Sequence, residues 1–336
     1  MEKYALEKGS TMILAGDVGG TKVVLALFED LKTRKKIKEQ RFASKDFSNF
    51  NDIVNAFLPK DISIACACFG IAGPIVENKC HATNLPWVID GVELQAVLKT
   101  RSVFLINDLE ANAWGTFALQ DEEFFVLNAG TGKQGNRALI SAGTGLGEAG
   151  FYFDGKKHHP FPSEGGHADF APNTEEEIEI WRYFKTKFEH VSFERLLSGK
   201  GIGNIYQFFV EVKKLPELPE VKERMQKEDL AQVISEFGVS KKCPTCVKTL
   251  ETFVSIYGEE AGNLALKFLS LGGIFIGGGI APKVLEVLKN GLFMKAFVDK
   301  GRFRTLLSGI RVQVILNPET ALLGAAEYAV IKNFNM

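Results

Sequence analysis

A chain of 336 residues, 46% hydrophobic and 24% charged, is long enough for two packed cores and has the balance of an ordinary globular protein. Its net charge of −1 argues against nucleic acid or an anionic membrane as the main partner, and its longest uncharged apolar stretch, Phe268 to Pro282, is too short to span a bilayer. The polar MEKYALEKGSTM is unlike a secretory signal, and five cysteines in no disulfide-like pattern point to a reducing compartment, the cytoplasm.

After that N-terminal extension, MILAGDVGGTKVVLALFE reads as two strands around a glycine turn. The basic LKTRKKIKEQR, with six positive charges, reads as a solvated hairpin end. SNFNDIVNAFL and GVELQAVLK have helical spacing. Between them ISIACACFGIAG is a strand in which Cys66 and Cys68 alternate with alanine as small packing residues. VFLINDLEANAWG turns from a buried strand to a helix at Asn107 and Asp108, and either is a favoured N-cap. EFFVLN and RALISAGTGLGEAGFYF bring strands again, the second with its own glycine turn. TEEEIEIWRYFKTKF opens on a capping box, Thr174 with Glu177. An all-helical stretch follows, from GNIYQFFVEVKK past the break LPELP. Within it Cys243 and Cys246 form CPTC without the second pair that zinc needs or the preceding strand of a redox motif. GGIFIGGGIAPKVLEVLK reads as strand, glycine loop and helix, and RVQVILNP as the last strand. Asn317 and Pro318 cap the final helix, ETALLGAAEYAVIK. The class is therefore α/β. The two glycine hairpins stand at comparable places in successive segments, as a duplicated domain would have them.

The glycine clusters limit the chemistry. GDVGGTK is followed by a strand and not by the helix of a P-loop. Gly145 to Gly150 fits GxGxxG, but a strand follows again, so it is not a dinucleotide turn. Both read as hairpin tips whose backbone N–H groups can approach an anion closely, with Thr21 and Thr144 as added donors. Asp17 suits such a place if Mg²⁺ lies between it and a phosphate. Gly277, Gly278 and Gly279 leave room for a flat adenine or a ribose.

Taken in order, GDVGGTK, FGIAGP with ATNLPW, LINDLEANAWG, SAGTGLGEAG, PSEGGHADFAP, FERLLSGKGIGNIY, GGIFIGGGIAP and LNPETALLGAA resemble the bacterial-type glucokinases. These form part of the hexokinase branch of the sugar kinase and actin-like ATPase superfamily. The motifs cover residues 14 to about 326. The resemblance implies two ribonuclease-H-like domains flanking a cleft: a small one, 1–116, completed by the C-terminal helix 317–336, and a large one, 117–316, with a helical insertion. It implies a homodimer that phosphorylates D-glucose at the 6-hydroxyl with ATP and Mg²⁺, the first step of glycolysis. By motif, Asn107 would bind the sugar and Asp108 would be the catalytic base. Glu164, His167, Glu194 and Asn84 would hold sugar hydroxyls. Gly16, Asp17, Gly19, Gly20, Thr21 and Lys22, with Gly143, Thr144 and Gly145, would cradle the phosphates, Asp17 reaching the metal through water. Gly277, Gly278 and Gly279 would face the adenosine.

One departure matters. A related family of sugar kinases and repressors has a zinc-binding CxCGxxGC after its EGGH-like motif, whereas here Ala168 to Pro172 follow without a cysteine. A kinase for another hexose or an N-acetylated amino sugar fits the same pocket residues. A sugar-sensing repressor would need a helix-turn-helix before the first strand, for which Met12 leaves no room. An actin-like filament module would lack SEGGHADF.

Overall fold

The apolar runs either side of the first glycine turn pair as antiparallel strands, β1 (Met12–Val18) and β2 (Lys22–Asp30), with Ile13 opposite Phe28 and Val18 opposite Val23. They begin a computed structural model that describes residues 12–30, 35–59, 62–83 and 85–334. Two compact units divide the chain: Met1–Gln120 with Asn317–Met336, and Asp121–Leu316.

In the first unit, β3 (Lys35–Ala43) adds antiparallel to β2. The basic stretch is thus a strand over most of its length and not a hairpin end; residues 31–34 lie outside the described ones. It forms the edge of its sheet, where lysines oppose pairing with a further strand. Lys36 lies 2.8 Å from Glu319, and Lys38 sits over the Phe57 ring. After helix α1 (Phe50–Phe57), β4 (Ile64–Ile71) runs parallel to β1. A small sheet follows, β5 (Ile75–Val76), β6 (Lys79–His81) and β7 (Val88–Asp90), then α2 (Gly91–Leu98), β8 (Val103–Asn107) parallel to β4, and α3 (Asp108–Gly115). The main sheet reads β3-β2-β1-β4-β8. Its period-two side chains supply two cores. Leu14, Leu25 and Leu27 pack with α1 and α2, whereas Ile13, Ala15 and Phe28 pack with α3 and the C-terminal helix Thr320–Phe334. A side chain at Gly115 or Gly324 would strike the backbone of the other helix, so these two lie almost in backbone contact.

The second unit repeats the plan. It holds β9 (Phe124–Asn128), β10 (Arg137–Ala142), β11 (Leu146–Phe153), β12 (His158–Ser163), β13 (Gly273–Gly277) and β14 (Val312–Ile315), in the order β12-β11-β10-β13-β14-β9. Three strands are an antiparallel meander and the next two are parallel to β10, as in the first unit; β9 closes the edge. The shared order supports the duplication expected from the two hairpins. The helices are α4 (Glu175–Lys185), α5 (Gly199–Glu211), α6 (Pro219–Met225), α7 (Leu230–Val239), α8 (Pro244–Lys267), α9 (Leu285–Leu288), α10 (Leu292–Val298) and α11 (Arg304–Ser308); the C-terminal helix is α12. The capping box forms as read, Thr174 accepting from Glu177 N–H and Glu177 from Thr174 N–H. From α5 to the end of α8 the chain is helical apart from short turns, as expected, with α8 central to an apolar core. Cys243 is the N-cap of α8, its Sγ accepting from Cys246 N–H, and both cysteines are buried. That accounts for CPTC as packing and capping.

Candidate functional site

In the first unit the strand ends β1, β4 and β8 lie side by side, with Val18 beside Ile71 and Ile71 beside Asn107. Asp17 and Asp108 therefore face the same carboxyl-terminal edge, two strand spacings or about 10 Å apart. That edge is where open α/β sheets bind ligands. The sequence left open which of Asn107 and Asp108 caps α3. Asn107 does: its Oδ1 accepts from Leu109 N–H at 2.8 Å, while Asp108 is the first helical residue and shares that N–H at 3.0 Å. Asn107 also donates through Nδ2 to Gly73 O at 3.2 Å. Gly73 adjoins Thr83, and Thr83 N–H donates to Ala72 O, so the FGIAGP, ATNLPW and IND motifs meet here. Asn84 lies outside the described residues. The negative charge of Asp108 reaches the neighbouring thiol of Cys80, adding to burial in holding it above its ordinary range.

These bonds predict a ranking. Asn107→Ala should cost about 1 kcal/mol or more of stability, through loss of the cap and of the bond to Gly73, and Asp108→Ala clearly less. Urea unfolding of both variants measures it; equal losses would mean that the cap is shared.

The β1–β2 turn carries Gly19, Gly20, Thr21 and Lys22. Gly19 N–H donates to Lys22 O, and Thr21 and Lys22 are exposed. Gly16 is buried within β1, where the missing side chain leaves room for Phe69 and Leu25. Burial pushes the Asp17 carboxyl up, against the pull of Lys22.

The second unit gathers the rest. Gly143, Thr144 and Gly145 form the β10–β11 hairpin, closed by Gly143 N–H to Gly145 O. The turn after β13 packs beside it: Ile280 N–H donates to Ala142 O, and Gly278, at φ +84°, passes so close to Ala142 that no side chain fits. Gly143 and Gly279 face open space. Two of the three glycine clusters thus share one surface. Glu194 joins them, its Oε2 accepting from Leu146 N–H at 3.0 Å, and Gly199 at the start of α5 donates to Gly143 O. Glu164 and His167 flank a short turn, their side chains exposed and 3.9 Å apart. The segment after them bonds to residues 191–193 through Phe170 N–H to Val191 O and Phe193 N–H to Ala168 O, which brings Glu194 alongside.

Glu148 is a residue that motif reading passed over. It is buried on β11, and a side chain at Gly165 would land 2.0 Å from its Oε2; one at Gly166 would strike Leu146 O at 2.1 Å. The two glycines of SEGGH therefore let the Glu164–His167 turn sit directly on β11. Burial and the neighbouring Glu260 carboxylate push Glu148 up to about 8, while Glu260 itself is held by Lys267 and Asn263. Glu259, one residue earlier on α8, is pushed up to about 8 by burial and by Glu177 of the capping box. Both acids are thus raised toward their protonated forms, Glu148 against the Gly165 turn and Glu259 beside Glu177. The lone Glu in LGEAGFYF was the available signal, since a charged residue on the inward side of a strand needs a partner.

A carboxyl raised in the fold stabilises through its bound proton. That contribution is complete below the unfolded value of 4.5 and is lost as pH climbs through about 8. The melting temperature should therefore fall as pH rises between those values, and Glu148→Gln should flatten the fall. A slope unchanged by that substitution would remove Glu148 as its source.

Comparison with known proteins bears on the family and the fold. A family model described as Glucokinase matches residues 14–331. A glucokinase of Trichormus variabilis is 41% identical over an alignment of 336 residues, covering 94% of this chain and 98% of that protein. Among solved structures, a glucokinase from an Antarctic psychrotroph has a TM-score of 0.81 at 30% identity, with 95% of this chain and 99% of that one covered. A glucokinase from Balamuthia mandrillaris in complex with glucose has the same fold, with a TM-score of 0.79 at 20% identity and 96% and 94% covered.

Proposed function

Since the chain belongs to the glucokinase family, we propose that it transfers the γ-phosphoryl group of ATP to the 6-hydroxyl of D-glucose. The observation that carries this reading is the division of labour at the end of β8. Asn107 caps the helix, so the Asp108 carboxylate beside it is not needed as the cap.

Asp108 accepts the proton of the 6-hydroxyl as that oxygen bonds to the γ-phosphorus. The bond from phosphorus to the β-phosphate oxygen breaks, ADP leaves, and the proton passes from Asp108 to solvent. Phosphoryl transfer has a loose transition state, so the remaining work is positioning and charge stabilisation. The N–H groups of the Gly19–Lys22 and Gly143–Gly145 turns supply the latter for the phosphates, and Gly277–Gly279 border the adenosine. Asn107, Glu164, His167 and Glu194, with Asn84, hold the sugar. Polar groups committed to hydroxyls reject an analogue that lacks one, because they are then left unpaired.

Mg²⁺ fits this donor set. It is ordinarily held by one or two carboxylates together with substrate phosphates, and Asp17 is a half-buried carboxylate at a glycine turn. Bound there, it would neutralise charge on the phosphates. Five buried free thiols support a reducing compartment, and the reading extends to a cytoplasmic homodimer.

Steady-state kinetics on a panel of hexoses and N-acetylated amino sugars test the substrate. D-glucose should exceed each of the others in kcat/KM by about tenfold or more. An N-acetylated amino sugar in first place would transfer the same chemistry to that substrate class.

A further inference from the structure

At the end of β10 opposite to the glycine hairpin lies a cavity of about 390 Å³ that the proposed reaction does not use. Its walls come from the loop before β10, the β11–β12 turn, the loop before β13 and Arg311 before β14. Four cationic side chains line it: Lys133, Arg137, Lys156 and Arg311. Among the described residues, no carboxylate lies within ion-pair distance of any of them. Asp154, on the β11–β12 turn, is engaged elsewhere: its Oδ1 accepts from the N–H groups of Lys156 and Lys157, and its Oδ2 meets His159.

Arg137 is the central group. It is half-buried, its guanidinium lies 5.9 Å from the Phe275 ring, and its Nε is buried without a hydrogen-bond partner. Burial and the like charge of Arg311 both act against its protonated form. An orphaned guanidinium N–H beside a second guanidinium is a costly arrangement unless an anion sits between them. Gly132, Gly135 and Gly155, all at positive φ, add no side chain of their own to its walls. His158 closes one side by its bond to Gly135 O.

We propose that this cavity binds the phosphate group of a small metabolite, as a second anion site separate from the glycine hairpins. Two guanidiniums and two ammonium groups match a dianion with several acceptor oxygens, guanidinium being suited to paired bonds with phosphate. The volume lies within the range of small-molecule sites.

Isothermal titration of the whole protein with inorganic phosphate, and separately with glycerol 3-phosphate, tests this against the double variant Lys156→Gln/Arg311→Gln. Both positions are exposed, so the fold is kept, and circular dichroism checks it. Phosphate taken up elsewhere, at the glycine hairpins included, is common to both proteins and cancels. The wild type should bind one further phosphate equivalent, and the double variant should bind it weaker by about tenfold or more, the worth of one charge-assisted bond. Tighter binding of glycerol 3-phosphate would identify a phosphate monoester as the occupant, and tighter binding of inorganic phosphate the free ion. Superimposable isotherms for the wild type and the variant with both ligands would overturn the proposal.

Discussion

Asp108→Asn is expected to yield a folded protein whose kcat is lower by about 10²–10⁴-fold, equivalent to about 2.7–5.5 kcal/mol of barrier. The reason lies in two adjacent side chains. Asn107 carries the cap of α3, so the amide at 108 removes no cap and leaves the helix start in place. What it removes is the carboxylate proposed to take the hydroxyl proton. Glucose affinity should fall less than turnover, because an amide still offers a hydrogen bond. If Asp108 served only the helix, turnover would stay within a few-fold of the wild type. Both quantities come from one set of kinetics, read beside a melting curve that excludes unfolding as the cause.

The second large effect is expected at the β10–β11 hairpin, where two glycines a residue apart should behave differently. A Cβ at Gly145 would lie 2.4 Å from Glu194 Oε2, the oxygen that accepts from Leu146 N–H. Gly145→Val must therefore displace the Glu194 carboxylate or open the hairpin. Since Glu194 is proposed to hold the sugar and the hairpin the phosphates, KM should rise for glucose and ATP together, each by about tenfold or more, one charge-assisted hydrogen bond's worth. Gly143 faces open space, so Gly143→Ala should leave the fold and the glucose KM unchanged and raise the ATP KM alone. A Gly145→Val enzyme with unaltered KM for both substrates would detach Glu194 and this hairpin from the site.

Much of this was legible in local sequence because the signals are local. The paired strands of the two hairpins follow from apolar runs flanking a glycine turn, the α4 start from Thr174 and Glu177, and the CPTC reading from the absence of partners. What escaped is non-local. The stretch Lys35–Ala43 has a strand's geometry but an edge strand's exposure, so its charges masked it. Asn107 and Asp108 are both good caps, and only the folded structure distinguishes them. Glu148 stands over a hundred residues from Glu260, and no spacing rule links them or joins Arg137 to Arg311. The second unit's sheet pairs β10 with β13 across the whole helical stretch, a contact that the glycine clusters at their ends announced only through resemblance to a family.

The measurement that bears most directly on the central claim is phosphorus NMR of ATP and D-glucose incubated with Mg²⁺ and the purified protein. Glucose 6-phosphate and ADP should appear in equal amounts, and the Asp108→Asn protein at the same concentration should form both at least about 100-fold more slowly. ADP accompanied by inorganic phosphate with no hexose phosphate, or equal product formation by the wild type and the variant, would contradict the account.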